Sequence, residues 1–192
     1  LLNIIAGTLS VGVTPSTNSY ESIATSTVGS GGTSTITFSS IPSTYEHLQI
    51  RALSKNDRST DTEATYVLKF NSDSTSANYR SHRLIGDGSS ASASDIGNQS
   101  GIYVYASSTS NNSLNNIFGA SVWDILDYKN TNKYKTVRAL GGNDINGSGG
   151  RITLASGLWM STAAVNNITL TLDGGFNFTQ YSSFALYGIK GV

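Results

Sequence analysis

The chain has no cysteine, 2 prolines and 1 methionine, and its 12 basic and 12 acidic residues cancel to a net charge of zero over 192 positions. The missing thiols exclude a disulfide framework and a thiolate metal site, and leave the redox compartment open. The shortage of Lys and Arg excludes the phosphate-neutralising cluster that nucleic-acid binding requires, so no nucleic-acid partner is expected. No apolar run reaches the roughly 18 residues that cross a bilayer as a helix, so no membrane insertion is expected. The opening LLNIIAGTLSVGV is apolar but has no basic flank, and does not read as a retained signal peptide.

What is present is hydroxyl. Ser and Thr make up about a quarter of the chain, well above ordinary usage. Such a surface is soluble without being an electrostatic funnel. A chain of this length defaults to one domain and buries roughly 70% of its unfolded surface.

The periodic segments read almost entirely as strands. Leu48, Ile50 and Ala52 alternate with Gln49 and Arg51, and near the C-terminus Phe184, Leu186 and Gly188 alternate with Ala185, Tyr187 and Ile189. Period-two alternation places one face on a core, so Phe184 and Leu186 are expected to be buried. Residues 20–28 and 34–38, separated by GSGG, read as a hairpin. Further strands are expected over residues 46–53, around Tyr66, Leu68 and Phe70, and over 79–85, 102–105, 117–126, 133–140, 151–155, 168–172 and 184–189. Residues 86–101 read as a long loop, and Asn146-Gly147 marks a hairpin between two of the strands. Only residues 159–165 look helical, for a turn or two. About ten short strands with Gly-rich turns imply an all-β, antiparallel two-sheet β-sandwich, jelly-roll-like, over residues 20–192.

Residues 1–19 form a separate piece, an extended N-terminal arm. Leu1, Leu2, Ile4 and Ile5 would each gain roughly 1.5–3 kcal/mol on burial. They are expected to serve as an extra strand on the chain's own sheet or as a partner-binding arm that docks on a neighbour, the remaining alternative being simple disorder.

Catalytic chemistry finds little footing. His47 lies opposite Leu48 and Ile50, which suggests an exposed position; for it or His82 to be catalytic the fold must bring a nucleophile or carboxylate close, and nothing local points there. No G-x-S-x-G elbow occurs. Asp124 and Asp127 are three apart on a strand and point to opposite faces, which suits a structural role better than a glycosidase pair. Asn71 with Asp73, and Asn143 with Asp144 and Asn146, could offer oxygens to calcium, but Asn, Asp and Gly are equally what tight turns require. The Gly-rich segments lack the following helix and Lys of a phosphate loop. No catalytic, cofactor or metal site is therefore expected, and the chain does not read as an enzyme. Tyr103 and Tyr105 share a strand face opposite Ile102 and Val104 and form a candidate glycan or interface platform. Trp123 and Trp159 are expected in the core or at a subunit interface.

FSSIPSTYEHLQIR, FNSDSTSANYRSHRLIGDGSSA, ILDYKNTNKYKTVRALGG, SGLWMSTAAVNNITL and FTQYSSFALYGIKG resemble, in pattern and spacing, small virion structural proteins of tailed bacteriophages. These are labelled variously as capsid decoration, minor tail or tail-fibre proteins. The resemblance spans residues 20–191 and carries over no catalytic residue. It implies a non-enzymatic component on the outer surface of the capsid or tail, in contact with major capsid or tail proteins and expected as a homotrimer. Decoration or cement of the head is the expectation, with attachment through the arm; the alternative is a tail or tail-fibre component that binds host-surface glycan.

Overall fold

The computed structural model describes residues 19–60, 63–109, 116–145 and 149–191, the side chains of 105–109 excepted. The arm residues Leu1, Leu2, Ile4 and Ile5 lie outside the described residues.

The elements in chain order are β1 (Tyr20–Thr27), β2 (Thr35–Phe38), β3 (His47–Ser54), β4 (Glu63–Phe70), a single 3₁₀ turn (Ser76–Asn78), β5 (Tyr79–Gly86), β6 (Ala91–Gly97), β7 (Ile102–Thr109), β8 (Gly119–Leu126), β9 (Lys135–Asp144), β10 (Gly150–Trp159), β11 (Ile168–Leu172) and β12 (Ser183–Ile189). They form an eight-stranded sheet in the order β1-β12-β3-β8-β9-β10-β5-β6 and a four-stranded sheet in the order β2-β11-β4-β7. Every strand pairing is antiparallel.

Removing the hairpins β5–β6 and β9–β10 leaves two four-stranded sheets, β1-β12-β3-β8 and β2-β11-β4-β7. The chain crosses between them repeatedly, with the first and last strands side by side. That is jelly-roll topology. The two hairpins are insertions that widen one sheet by four strands beyond β8.

Alternation drives the packing. Leu48 and Ile50 from β3, Trp123 and Ile125 from β8, and Phe184 and Leu186 from β12 are fully buried, and face Tyr66, Leu68, Ile168 and Leu170 of the smaller sheet. Each such side chain contributes roughly 1.5–3 kcal/mol of burial. The Tyr66 ring meets Trp123 edge-on at 4.9 Å and stacks on Phe178 at 5.6 Å, and Phe178 meets Phe184 at 4.9 Å. Tyr66 is kept satisfied by a hydrogen bond between its hydroxyl and Ser54 Oγ.

Three local expectations are corrected. Residues 20–28 and 34–38 are not a hairpin, since β1 pairs with β12 and β2 with β11. The GSGG turn, with Gly32 at φ +68°, instead carries the chain from one sheet to the other, so that Ile36 and Phe38 reach the common core from the opposite side. Residues 86–101 are not one loop, because β6 pairs with β5 along its whole length. Its sequence ASASDIG hides it: an exposed edge strand needs few large apolar residues. Residues 159–165 are not helical. Trp159 ends β10, Met160 N–H donates to Asn78 O, and Val165 N–H donates to Tyr128 O, long-range bonds that replace a helical ladder.

Candidate functional site: the outer face of the larger sheet

The two halves of the larger sheet turn opposite kinds of residue towards solvent. In β10 the inward positions are Thr153, Ala155, Gly157 and Trp159, while Ile152, Leu154 and Leu158 face outward. The cause lies beneath. Strand β7 of the smaller sheet runs under the extension, and its Ile102 presses against Gly157, where an added Cβ would stand 2.3 Å from Ile102 Cγ2. Small inward residues are thus required there, and the larger aliphatics occupy the other face.

Register then aligns those aliphatics across strands. Val122 pairs with Leu140, Leu140 with Leu154, Leu154 with Leu84, and Leu84 with Ala93. The next row runs Ser183, Leu53, Ala120, Gly142 and Ile152. Ile152 is 60% exposed, and Leu53, Leu84, Leu140 and Leu154 are each about half exposed. Small floor residues between them leave an open depression of about 680 Å³ that runs from Thr25 of β1 to Ile152 of β10. A second, of about 550 Å³, continues it past Leu154 and Leu84 to Ala93. Scattered single aliphatics need no explanation on a protein surface, but a row in register over five strands is a contiguous apolar patch, the kind of feature that marks interaction sites in general.

A polar row borders this groove. Gln49 Nε2 donates to Asp124 Oδ1 at 2.8 Å, Arg138 reaches Asp124 Oδ2 at 2.9 Å, and Arg51 Nε donates to Gln49 Oε1 at 2.9 Å. The Arg51 guanidinium also lies over the rings of Tyr187 and Tyr20, 5.2 and 5.6 Å from their centroids. At the far end His82 faces Asp95 at 3.6 Å, both well exposed. Asp124 is thus shared by Gln49 and Arg138, while Arg51, which stands beside Val122 in the aliphatic row, and Arg151 also line the larger depression.

The residues singled out by sequence are dispersed. Tyr103 is half-buried on β7, across from Val67, with its backbone N–H donating to Ser81 Oγ at 3.1 Å. Desolvation raises its hydroxyl pKa, helped by the Asp173 carboxylate and opposed by a hydrogen bond with Ser100. Tyr105 is on the same strand, with its side chain outside the described residues. His47 is half-buried rather than exposed, because its Nδ1 accepts the Asp127 N–H at 3.0 Å in the turn after β8. His47 and His82 sit in different strands and do not meet. Asp124 belongs to the polar row, whereas Asp127, at φ 50°, binds Lys133 at 2.7 Å, which holds its carboxyl below the usual range.

Asn71 and Asp73 perform turn chemistry. Asn71, at φ 50°, accepts the N–H groups of Asn166 and Asn167. Asp73 accepts from Trp159 Nε1 at 2.7 Å, Asn78 Nδ2 at 2.8 Å and Thr75 N–H at 2.9 Å. Burial pushes its carboxyl pKa up, but these three hydrogen bonds outweigh that and bring it to about 2. Asn143 and Asp144 end β9, and Asn146 lies outside the described residues. Among the described residues no group of three or more His, Cys, Asp or Glu could hold a metal ion. Trp123 and Trp159 are both core residues.

Sequence reasoning missed the groove and the burial of two cations, Lys55 and Lys135. Lys135 is fully buried, and its Nζ donates to the carbonyl oxygens of Asn130 at 2.6 Å, Lys133 at 2.8 Å and Thr162 at 3.3 Å. Its alternation with Val137 and Ala139 was the available signal. For the groove the signal was Ile152, Leu154 and Leu158 at period two, which reads equally well as an inward face.

With this geometry the chain defines a jelly-roll protein carrying a widened, apolar-faced sheet. No protein-family model, curated protein or solved structure matches it.

Proposed function

We propose that the protein is a non-enzymatic structural subunit of a tailed-phage virion, a decoration or cement protein on the outer surface of the capsid. The observation that carries this reading is the exposed aliphatic row Val122, Leu140, Leu154 and Leu84 on a disulfide-free jelly roll, bordered by an Asp124 that Gln49 and Arg138 share. A surface of that kind associates by apolar burial and depends little on ionic strength. The sequence resemblance to small virion proteins supplies the partner class: major capsid protein and further copies of this chain, as a trimer. In this mechanism Leu1, Leu2, Ile4 and Ile5 anchor the subunit to the shell, and repeated weak contacts add up through multivalency.

The test is to add purified protein to particles stripped of it and count bound copies. The full chain is expected to load on the capsid lattice, and a chain lacking residues 1–18 to load at less than a tenth of that occupancy. Full loading of the truncated chain, or density only at the tail, would overturn the reading.

A second reading, a tail or tail-fibre component that binds host glycan, draws on Tyr187, Tyr20 and Arg51 beside Gln49 and Asp124. Rings beside planar hydrogen-bonding groups can take a sugar. It requires that Tyr187→Ala abolish binding to host cells while leaving particle loading unchanged.

A further inference from the structure

We propose that the outer face of the larger sheet is a two-fold interface for a second copy of this chain, its axis parallel to the strands and midway between β9 and β10. The register fixes what that axis brings together. Leu140 of one copy lies over the partner's Leu154, and Val122 over the partner's Leu84. In the next row Ile152, 60% exposed, lies over the partner's Gly142, a projecting side chain above a position that has none. Arg51 on β3 comes over Ala93 of the partner's β6. The partner's Asp95 is one outward position further along, an offset of about 7 Å that the long Arg51 side chain spans. In the row beyond, Asp124 comes over the partner's His82. Each contact occurs twice, as a self-complementary face requires.

Charge is what commits the face to this occupant. The Arg51 guanidinium is held by Gln49 and by the rings of Tyr187 and Tyr20, with no carboxylate in its own subunit. Asp95 has only His82, 3.6 Å away, the side chains being 62% and 69% exposed. A second copy gives Arg51 and Asp95 each an opposite charge. Arg151, on the rim of the larger depression, is already neutralised by Glu63 of the smaller sheet. Moving the axis one strand towards β8 would set Arg51 on the partner's Leu154. Moving it one strand towards β6 would leave β3 and β8 uncovered.

The size is also right. The six strands β3-β8-β9-β10-β5-β6 overlap in this arrangement. At about 4.8 Å between strands and about 7 Å between outward rows, four rows of six strands cover roughly 800 Å² on each copy. That is the share a standard stable interface takes from each partner. Two sheets so faced pack about 10 Å apart, as the layers of a sandwich do. The contact goes beyond the virion reading and does not rest on it. A trimer is built from head-to-tail surfaces, so a two-fold face is a further contact between copies, and purified protein without particles tests it.

Sedimentation velocity of the full chain at micromolar concentration is expected to show a dimer. Arg51→Glu and Asp95→Arg are each expected to raise its dissociation constant at least about tenfold, because each sets like charges face to face twice. Mixed in equal amounts, the two variants are expected to associate as tightly as the parent chain, since the mixed dimer again pairs opposite charges at both contacts. Leu140→Asp/Leu154→Asp is expected to be monomeric, with circular dichroism checking the fold. A parent chain that forms no dimer, single variants that dimerise as tightly as the parent, or a mixture no tighter than its components would each overturn the proposal.

Discussion

The two halves of the larger sheet obey the same alternation and use it in opposite senses. In β1-β12-β3-β8 the large side chains, Leu48, Ile50, Trp123, Phe184 and Leu186, point inward onto the smaller sheet. In the extension β9-β10-β5-β6 the inward positions over β7 hold Ala139, Ala155 and Gly157, with Val137, Tyr79 and Trp159 buried towards one end, while Leu140, Leu154, Leu84 and Ile152 point out. The difference follows from what lies beneath. The jelly-roll half has three core strands of the smaller sheet under it and room for aromatic rings; the extension has β7 pressed close, and Ile102 fills the space a side chain at position 157 would need. A period-two pattern thus shows that a strand has two faces, but the spacing to the next layer decides which face takes the bulk.

That contrast can be broken most forcefully in the jelly-roll half. Trp123→Ala, which empties a fully buried position against Tyr66, is expected to cost about 3–5 kcal/mol, read as a lower midpoint in urea unfolding. The extension should respond to the opposite change. Gly157→Val drives a side chain into Ile102 and is expected to cost about 1–3 kcal/mol. Pairing it with Ile102→Ala should recover part of the loss, a non-additivity that a double-mutant cycle measures. If the pair is strictly additive, the close layer spacing is not the reason for the small residues.

Asp73 ties the two regions together, since it binds Trp159 at the end of β10 and the turn after β4. Its folded pKa of about 2 lies below the ordinary 3.8. A depressed carboxylate binds fewer protons in the native state, so its stabilisation is fully present above the ordinary value and is lost as pH falls through 2. Melting temperature followed from pH 7 to pH 2 should therefore drop less steeply over the acid limb in Asp73→Asn than in the unaltered chain. The smallest effect is expected on the outer face: Leu154→Ser, at a half-exposed position, should change stability by no more than about 0.5 kcal/mol. The same substitution should nevertheless reduce the binding of an apolar dye to a chain lacking residues 1–18. A large loss of stability there would mean that the face is already part of the core.

Much of this architecture was legible in advance. Strict alternation at Leu48–Ala52 and Phe184–Gly188 located two central strands, and Asn146-Gly147 placed the β9–β10 hairpin correctly. The misreadings share a cause: pairing partners are chosen over long sequence separations. Residues 20–28 are as good a hairpin partner for 34–38 as for the C-terminal strand by local chemistry, and only the shared core selects the latter. Strand β6 carried no apolar signal because its neighbour on one side is water. Lys135 reads as a surface residue until three carbonyl groups are brought round it from the β8–β9 connection and the segment after β10. The aliphatic row on the outer face is likewise invisible residue by residue, because its members come from separate strands.

By itself the sequence determined the class of the fold, its freedom from disulfides, its balanced and scarce charge and the positions of most strands. These depend on composition and on period-two patterns that act within a few residues. The tertiary structure alone decided the jelly-roll crossing order, the insertion of two hairpins beside β8 and the outward turn of Leu84, Leu140, Ile152 and Leu154. Those depend on which strands become neighbours and on how closely two sheets approach, quantities that a chain acquires only once it is packed.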